Sequence, residues 1–187
     1  MTMTAEQRQV DVVDRLAAEA RKRVSPDQAD SAEHFVRRYF AHVAPDDVIY
    51  TSPETLLGGA LSLWEYGSQR TPGQPKIRLF NPAQEKNGWG LEHTVIEIVN
   101  DDMPFLVDSV SAEIQRHERK IHLLLHPIIT ANRDATGNRL EVTDTRSGTS
   151  ASVRESYMHV EIDQETEPAE LNTHAVTSED SVEIDDR

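Results

Sequence analysis

Cysteine is missing from all 187 residues. That excludes disulfides, thiolate nucleophiles and cysteine-based zinc or iron–sulfur sites. Aromatic residues are scarce at 5%, and no apolar run approaches the ~18 residues that a membrane helix requires. The opening MTMTAEQRQV lacks the basic and apolar blocks of a signal peptide, so cytoplasm is the expected location. Positive charge is also short: 19 Lys and Arg stand against 33 Asp and Glu, a net charge of −14. Phosphate binding needs a clustered basic surface, so neither nucleic acid nor a membrane is an expected partner. There is no GxSxG, HExxH, P-loop or dinucleotide-binding GxGxxG. Only four lysines occur (Lys22, Lys76, Lys86 and Lys120), none in a glycine-rich setting. No catalytic, cofactor-binding or metal-binding residue is read from this chain.

What the chain does have is centred on residues 94–132, TVIEIVNDDMPFLVDSVSAEIQRHERKIHLLLHPIITAN. The β-branched run 94–99 reads as a buried strand, broken by Asn100-Asp101-Asp102. Pro104 suits the first turn of a helix. Leu106, Val107, Val110 and Ile114 then recur at helical spacing, with Glu113, Arg116, Glu118 and Arg119 opposite. A second strand covers 121–132, with Pro127 making it an edge, a bulge or an end. Residues 140–142 begin a third strand, and 143–152 is a Ser/Thr/Gly loop. Over 155–163, Met158, Val160 and Ile162 alternate with Tyr157, His159 and Glu161.

Upstream, the sequence predicts three helices. The first spans 4–24, with Thr4 and Gln7 as a capping box. The second starts at Ser25-Pro26, and its stripe Phe35/Val36, Tyr39/Phe40, Val43 reads as core packing. Residues 44–47 form a turn. Ser52-Pro53 opens the third helix, where Gly58-Gly59 cost about 1 kcal/mol each relative to alanine or permit a close neighbour. The stretch 71–75 is the clearest internal boundary, followed by a short strand at 76–80. The chain thus divides into a helical segment 1–70, a sheet domain 76–163 and a tail 164–187. That tail holds eight acidic side chains and one Arg, half of the net charge, and reads as disordered with at best a short helix at 167–171.

The block TVIEIVNDDMPFLVDSV, with IHLLLHPII and RESYMHVEID, resembles the N-terminal region of the very large bacterial NAD-dependent glutamate dehydrogenases. The resemblance is strongest over 88–163. It implies an α+β fold in which the helical prefix packs on an ACT-like, ferredoxin-like antiparallel sheet, a partial βαββαβ unit. It further implies a non-catalytic regulatory or assembly role. NAD would belong to the full-length enzyme, which converts glutamate to 2-oxoglutarate. The partners implied are the rest of the polypeptide, other subunits of a homo-oligomer and a small amino-acid effector. Two other readings are a stand-alone amino-acid sensor and a purely structural oligomerisation module. An ACT-like unit calls for a further helix and strand after Asp163. The sequence there is poor in both, so the module is expected to be incomplete, or else completed by another chain.

The candidate amino-acid effector turn is Asn100, Asp101, Asp102, Met103, Pro104 and Phe105. A helix N-terminus offers amides and partial positive charge to a carboxylate, and nearby aspartates suit an ammonium group. In ACT modules the corresponding turn resembles Asp-x-Pro-Gly-x-Leu/Val, and here Phe105 stands in place of glycine. The competing interpretation is that Asp101 or Asp102 caps the helix and Phe105 packs into the core or an interface. His117, His122 and His126 do not form a metal site on this pattern, because His122 and His126 on one strand lie about 13 Å apart.

Overall fold

The computed structural model describes residues 3–143 and 152–166. The helical segment comes first. Helix α1 (Ala5–Arg23) starts at Thr4, whose hydroxyl accepts from the Gln7 amide while the Gln7 side chain accepts from the Thr4 amide. A 3-10 turn at Pro26–Gln28 leads into α2 (Ala29–Tyr39). The predicted turn at 44–47 is instead the beginning of a short helix, α3 (Pro45–Ile49). Proline at its first position needs no amide partner, and Val48 is buried. Helix α4 (Pro53–Tyr66) is capped by Ser52, which accepts from the Thr55 amide.

Among the described residues six strands follow: β1 (Lys76–Phe80), β2 (Thr94–Asp101), β3 (Ile121–Leu125), β4 (Ile128–Arg133), β5 (Arg139–Thr143) and β6 (Ser152–Ile162). Two helices lie among them, the short α5 (Gln84–Asn87) and α6 (Leu106–Arg116). All pairings are antiparallel, in the order β1-β2-β6-β4-β5, with β3 also on β6. The long β6 is central. Along one side it pairs with the whole of β2; along the other it pairs with β3 at its far end and β4 at its near end.

Two expectations for the centre of the chain change, and at Pro127 the strand ends, one of the three alternatives read there. Strand β2 does not stop at Val99: Asn100 and Asp101 pair with Ser156 and Glu155, because β6 is long enough to hold them. Pro104 lies in the turn before α6 rather than in its first turn, and Phe105 is the N-cap residue. The segment 121–132 is two strands, divided at His126-Pro127. Pro127 has no amide to give, but its carbonyl accepts from the Tyr157 amide (3.0 Å), so the border of β6 stays continuous across the break.

The α+β, ACT-like architecture is evident in the arrangement around β6. Strands β2 and β3 flank it and are joined through α6, a split βαβ crossover. In a βαββαβ unit the last strand lies beside the first. Here the place beside β2 is filled by β1, from upstream in the same chain. The sheet is therefore not short of this strand; an earlier segment supplies it. Among the described residues, α6 is the only helix of eight residues or more in the strand-bearing part.

The two sheet faces carry separate cores. Ile96, Ile98, Met158, Val160 and Ile162 pack with Ile114 of α6 on one face. On the other, Val99, Leu125, Ile129, Val142 and Tyr157 join Leu16, Phe35, Leu57, Leu63 and Trp64 of the helical segment. Phe35 stands edge-on to both Trp64 and Tyr157, each at 5.4 Å between ring centres. The predicted aromatic stripe on α2 is thus core, and it joins prefix to sheet.

Candidate functional site

The turn between β2 and α6 was the residue group singled out from the sequence. Its backbone is held where Asp102 N–H donates to Arg154 O (3.0 Å). Asp101 forms an ion pair with Arg70 and accepts from the Gly73 amide (2.9 Å). Asp102 pairs with Arg154 at 2.9 Å. Asn100 contacts the Met103 sulfur at 3.5 Å. Neither aspartate caps α6, which starts without any side-chain cap. Phe105 does not enter the core: it is 76% exposed, with Met103 beside it at 51%. Its φ of 63° is left-handed, the conformation that glycine adopts most readily. The phenylalanine keeps a glycine-like backbone and turns its ring to solvent.

Beneath the turn lies a charged network that the sequence did not reveal. Glu155 is fully buried between two arginines. Arg70 donates to its Oε1 at 2.5 Å, and Arg133 reaches both oxygens at 2.8 Å. Arg133 also donates to the carbonyls of Gly67 and Gly137, each at 2.8 Å. Arg139 donates to the Trp64 carbonyl (2.9 Å), its guanidinium 3.3 Å from the centre of that indole. These bonds tie the end of α4 to the β4–β5 hairpin and, through Arg70, to Asp101. Burial alone would lower the Arg133 pKa, but Glu155 and Tyr157 raise it above its ordinary value, so the arginine stays charged. The alternation along 155–163 does place Glu155 in the row of Tyr157 and His159. Nothing local marks Arg70 as its partner.

A second polar group lines a cavity of about 180 Å3 between the helical segment and the sheet. Glu161 there is bracketed by His93 Nδ1 (3.0 Å) and His159 Nε2 (3.4 Å). Burial pushes the Glu161 carboxyl up, yet the two histidines more than offset this and leave it below the usual carboxylate value. The His93 ring stacks on His122 at 4.1 Å, and His122 Nε2 contacts Asp163 at 2.7 Å. His126 instead bonds Ser156, and His117 contacts Glu113. The three histidines considered from sequence therefore occupy three different surroundings. Among the described residues no group of three or more His, Asp or Glu side chains is arranged to hold a metal ion. The pairing of His93 with Glu161 was missed because 68 residues separate them. The register that joins them, Thr94 against Ile162, is visible only once the sheet is formed.

Sequence comparison decides what this arrangement belongs to. A family model for the ACT1 domain of glutamate dehydrogenase matches residues 35–175. The chain belongs to the glutamate dehydrogenase ACT1 domain family. Over 166 residues it is 31% identical to an NAD-specific glutamate dehydrogenase of Halomonas elongata, covering 89% of this chain and 10% of that protein. Over 137 residues it is 34% identical to the Pseudomonas aeruginosa protein of the same name, covering 73% of this chain and 8% of that one. The chain thus spans about a tenth of the length of these curated relatives. No solved structure matches it. The ACT1 match begins within α2 and takes in α3, α4 and the whole described sheet, so it includes helices that lie outside the strand-bearing part.

Proposed function

We propose that this chain is a non-catalytic regulatory and assembly domain of an NAD-dependent glutamate dehydrogenase, working in the cytoplasm within a homo-oligomer. The whole enzyme would deaminate L-glutamate oxidatively to 2-oxoglutarate, with NAD as hydride acceptor, on parts of the polypeptide outside this chain. The ACT1 match and the names of the two relatives support this context. Among the described residues no helix is long and apolar enough to cross a membrane.

The observation that carries the assembly role is the pair Met103 and Phe105, two large apolar side chains exposed on one turn. A held turn that presents apolar groups to solvent suits a protein contact. An amino-acid effector would need free carboxylates for its ammonium group, and those of Asp101 and Asp102 are engaged by Arg70 and Arg154. The test is a Met103→Glu/Phe105→Glu double variant of the full-length enzyme. Sedimentation is expected to give a smaller assembly than wild type at the same concentration; an unchanged mass overturns the assembly role. Calorimetric titration of amino acids into the 187-residue chain addresses the effector reading. Saturable binding that the double variant loses would favour it instead.

A further inference from the structure

Neither the β2–α6 turn nor the buried arginine network contributes to the cavity of about 180 Å3 between the helical segment and the sheet. Its walls are of two kinds. Leu56 of α4, Trp89 of the loop before β2, and Leu123 and Leu125 of β3 make an apolar side. His93, His159 and Glu161 make a polar side. Gly59 of α4 keeps the space before them open, since a Cβ there would already stand 3.4 Å from His159 Cε1 and from the Tyr39 hydroxyl.

The polar side calls for hydrogen-bond donors. Burial raises the Glu161 pKa, but His159 and His93 more than offset this, so the carboxyl stays ionised. An ionised carboxylate only accepts, so the nitrogens that face it, His93 Nδ1 at 3.0 Å and His159 Nε2 at 3.4 Å, carry the protons. In a neutral imidazole the other nitrogen is then an acceptor. For His159 that acceptor is Nδ1, which is buried and has no hydrogen-bond partner among the described residues. The whole residue is 2% exposed. A carboxylate has about four lone-pair sites, so Glu161 keeps accepting capacity beyond its two histidines. Buried acceptors without a donor are unfavourable, and a group with several N–H bonds would satisfy both residues at once.

Charge and volume narrow the choice. Asp47 of α3 adds a second carboxylate to the lining, and among the described residues that form it there is no Lys or Arg. Imidazole is ordinarily uncharged above neutral pH. A ligand carboxylate or phosphate would then find no cationic partner, whereas an ammonium group finds acceptors and opposite charge. The volume admits about six non-hydrogen atoms if each takes roughly a water's share of ~30 Å3.

We infer that this cavity binds a small primary alkylamine, with its ammonium group between Glu161 and His159 Nδ1 and its carbon chain against Leu56, Leu123 and Leu125. Such a ligand touches helical segment and sheet together, so its binding stabilises their union. The inference is independent of the assembly role, whose test reads the mass of the full-length enzyme.

The probe is isoamylamine, titrated calorimetrically into the 187-residue chain at about pH 8, where an alkylamine is charged. Saturable binding is expected, about tenfold tighter than for isoamyl alcohol, which has the same shape without the charge. Glu161→Gln is expected to abolish that difference. Because this variant alters a partly buried pair, the contact is also read on the wild-type chain: nuclear Overhauser effects should join the methyl groups of the amine to Leu123 and Leu125. Absence of saturable amine binding, meaning a cavity filled by water alone, overturns the inference. Equal affinity for the alcohol overturns it as well, as do Overhauser contacts confined to residues outside the cavity. Tighter binding of isovalerate, or of leucine (the same amine with a carboxylate added), would make this an anion or amino-acid site and overturn it too.

Discussion

Among the described residues two non-glycine positions have left-handed backbones, Phe105 (φ 63°) and Glu118 (φ 57°). The second ends α6: Arg119 N–H donates to Ile114 O and Glu118 N–H to Gln115 O, a terminus that glycine most often occupies. At Phe105 the strain has no packing return, since the ring is largely exposed. The left-handed conformation costs a residue with a Cβ roughly 1–2 kcal/mol, of which glycine's freedom in the unfolded chain takes back about 0.5–1 kcal/mol. Phe105→Gly is therefore expected to stabilise the 187-residue chain by about 0.5–1 kcal/mol, read as a higher urea midpoint with unchanged slope. A lower midpoint would mean that the ring packs in solution. His126 gives a pH-dependent counterpart. Burial pushes its pKa below the ordinary 6.5, against a smaller opposing effect of Asp102. Between the folded value and 6.5 the unfolded chain binds more protons, so this contribution is complete above pH 6.5 and is lost as pH falls towards the folded pKa. His126→Gln is expected to flatten the decline of stability below pH 6.5; an unaltered slope would assign the decline to other groups.

At the scale of elements, the glycines of α4 show what a sequence conveys and what it withholds. Gly58-Gly59 is legible as a weak point or a close approach, but the neighbour is not. A Cβ on Gly58 would lie 2.2 Å from the Trp89 ring, and one on Gly59 would lie 3.4 Å from both His159 and Tyr39. Trp89 comes from the loop before β2, read locally as polar and turn-rich, and it is buried. Gly58→Ala must displace an indole within a packed core, an overpacking that typically costs 1–3 kcal/mol. The expected result is a loss of about 2–3 kcal/mol by chemical denaturation, with Gly59→Ala much milder. Equal effects would mean that helix propensity rather than contact governs the pair. Helix starts at Thr4 and Ser52 were readable because the cap and its partner lie within one turn. The division of 121–132 was only partly readable: Pro127 marks a defect, but which border of which strand bears it is set by the length of β6.

For the whole molecule, the legible part is the alternation of faces, and the illegible part is what closes each face. Met158, Val160 and Ile162 separate from Tyr157, His159 and Glu161 by period alone, and the two cores follow that division. Periodicity carries no information about Arg70, which sits just before the 71–75 boundary and whose guanidinium joins Glu155 to Asp101. That boundary is a turn in the chain but not a gap in the packing. Cutting there would uncover Val99, Leu125, Ile129, Val142 and Tyr157 together. It would also leave the buried Glu155 with Arg133 but without Arg70. Removing one partner of a buried ion pair costs about 3–5 kcal/mol, because the other charge stays desolvated. A domain's whole stability is commonly only ~5–15 kcal/mol. A fragment of residues 71–187 is therefore expected to lose cooperative urea unfolding and near-ultraviolet dichroism, while Glu155→Gln in the full chain still unfolds cooperatively at a lower midpoint. If the fragment unfolded as sharply as the full chain, the α6-side core would be sufficient by itself. The helical segment would then be an attachment to the sheet and not its second wall.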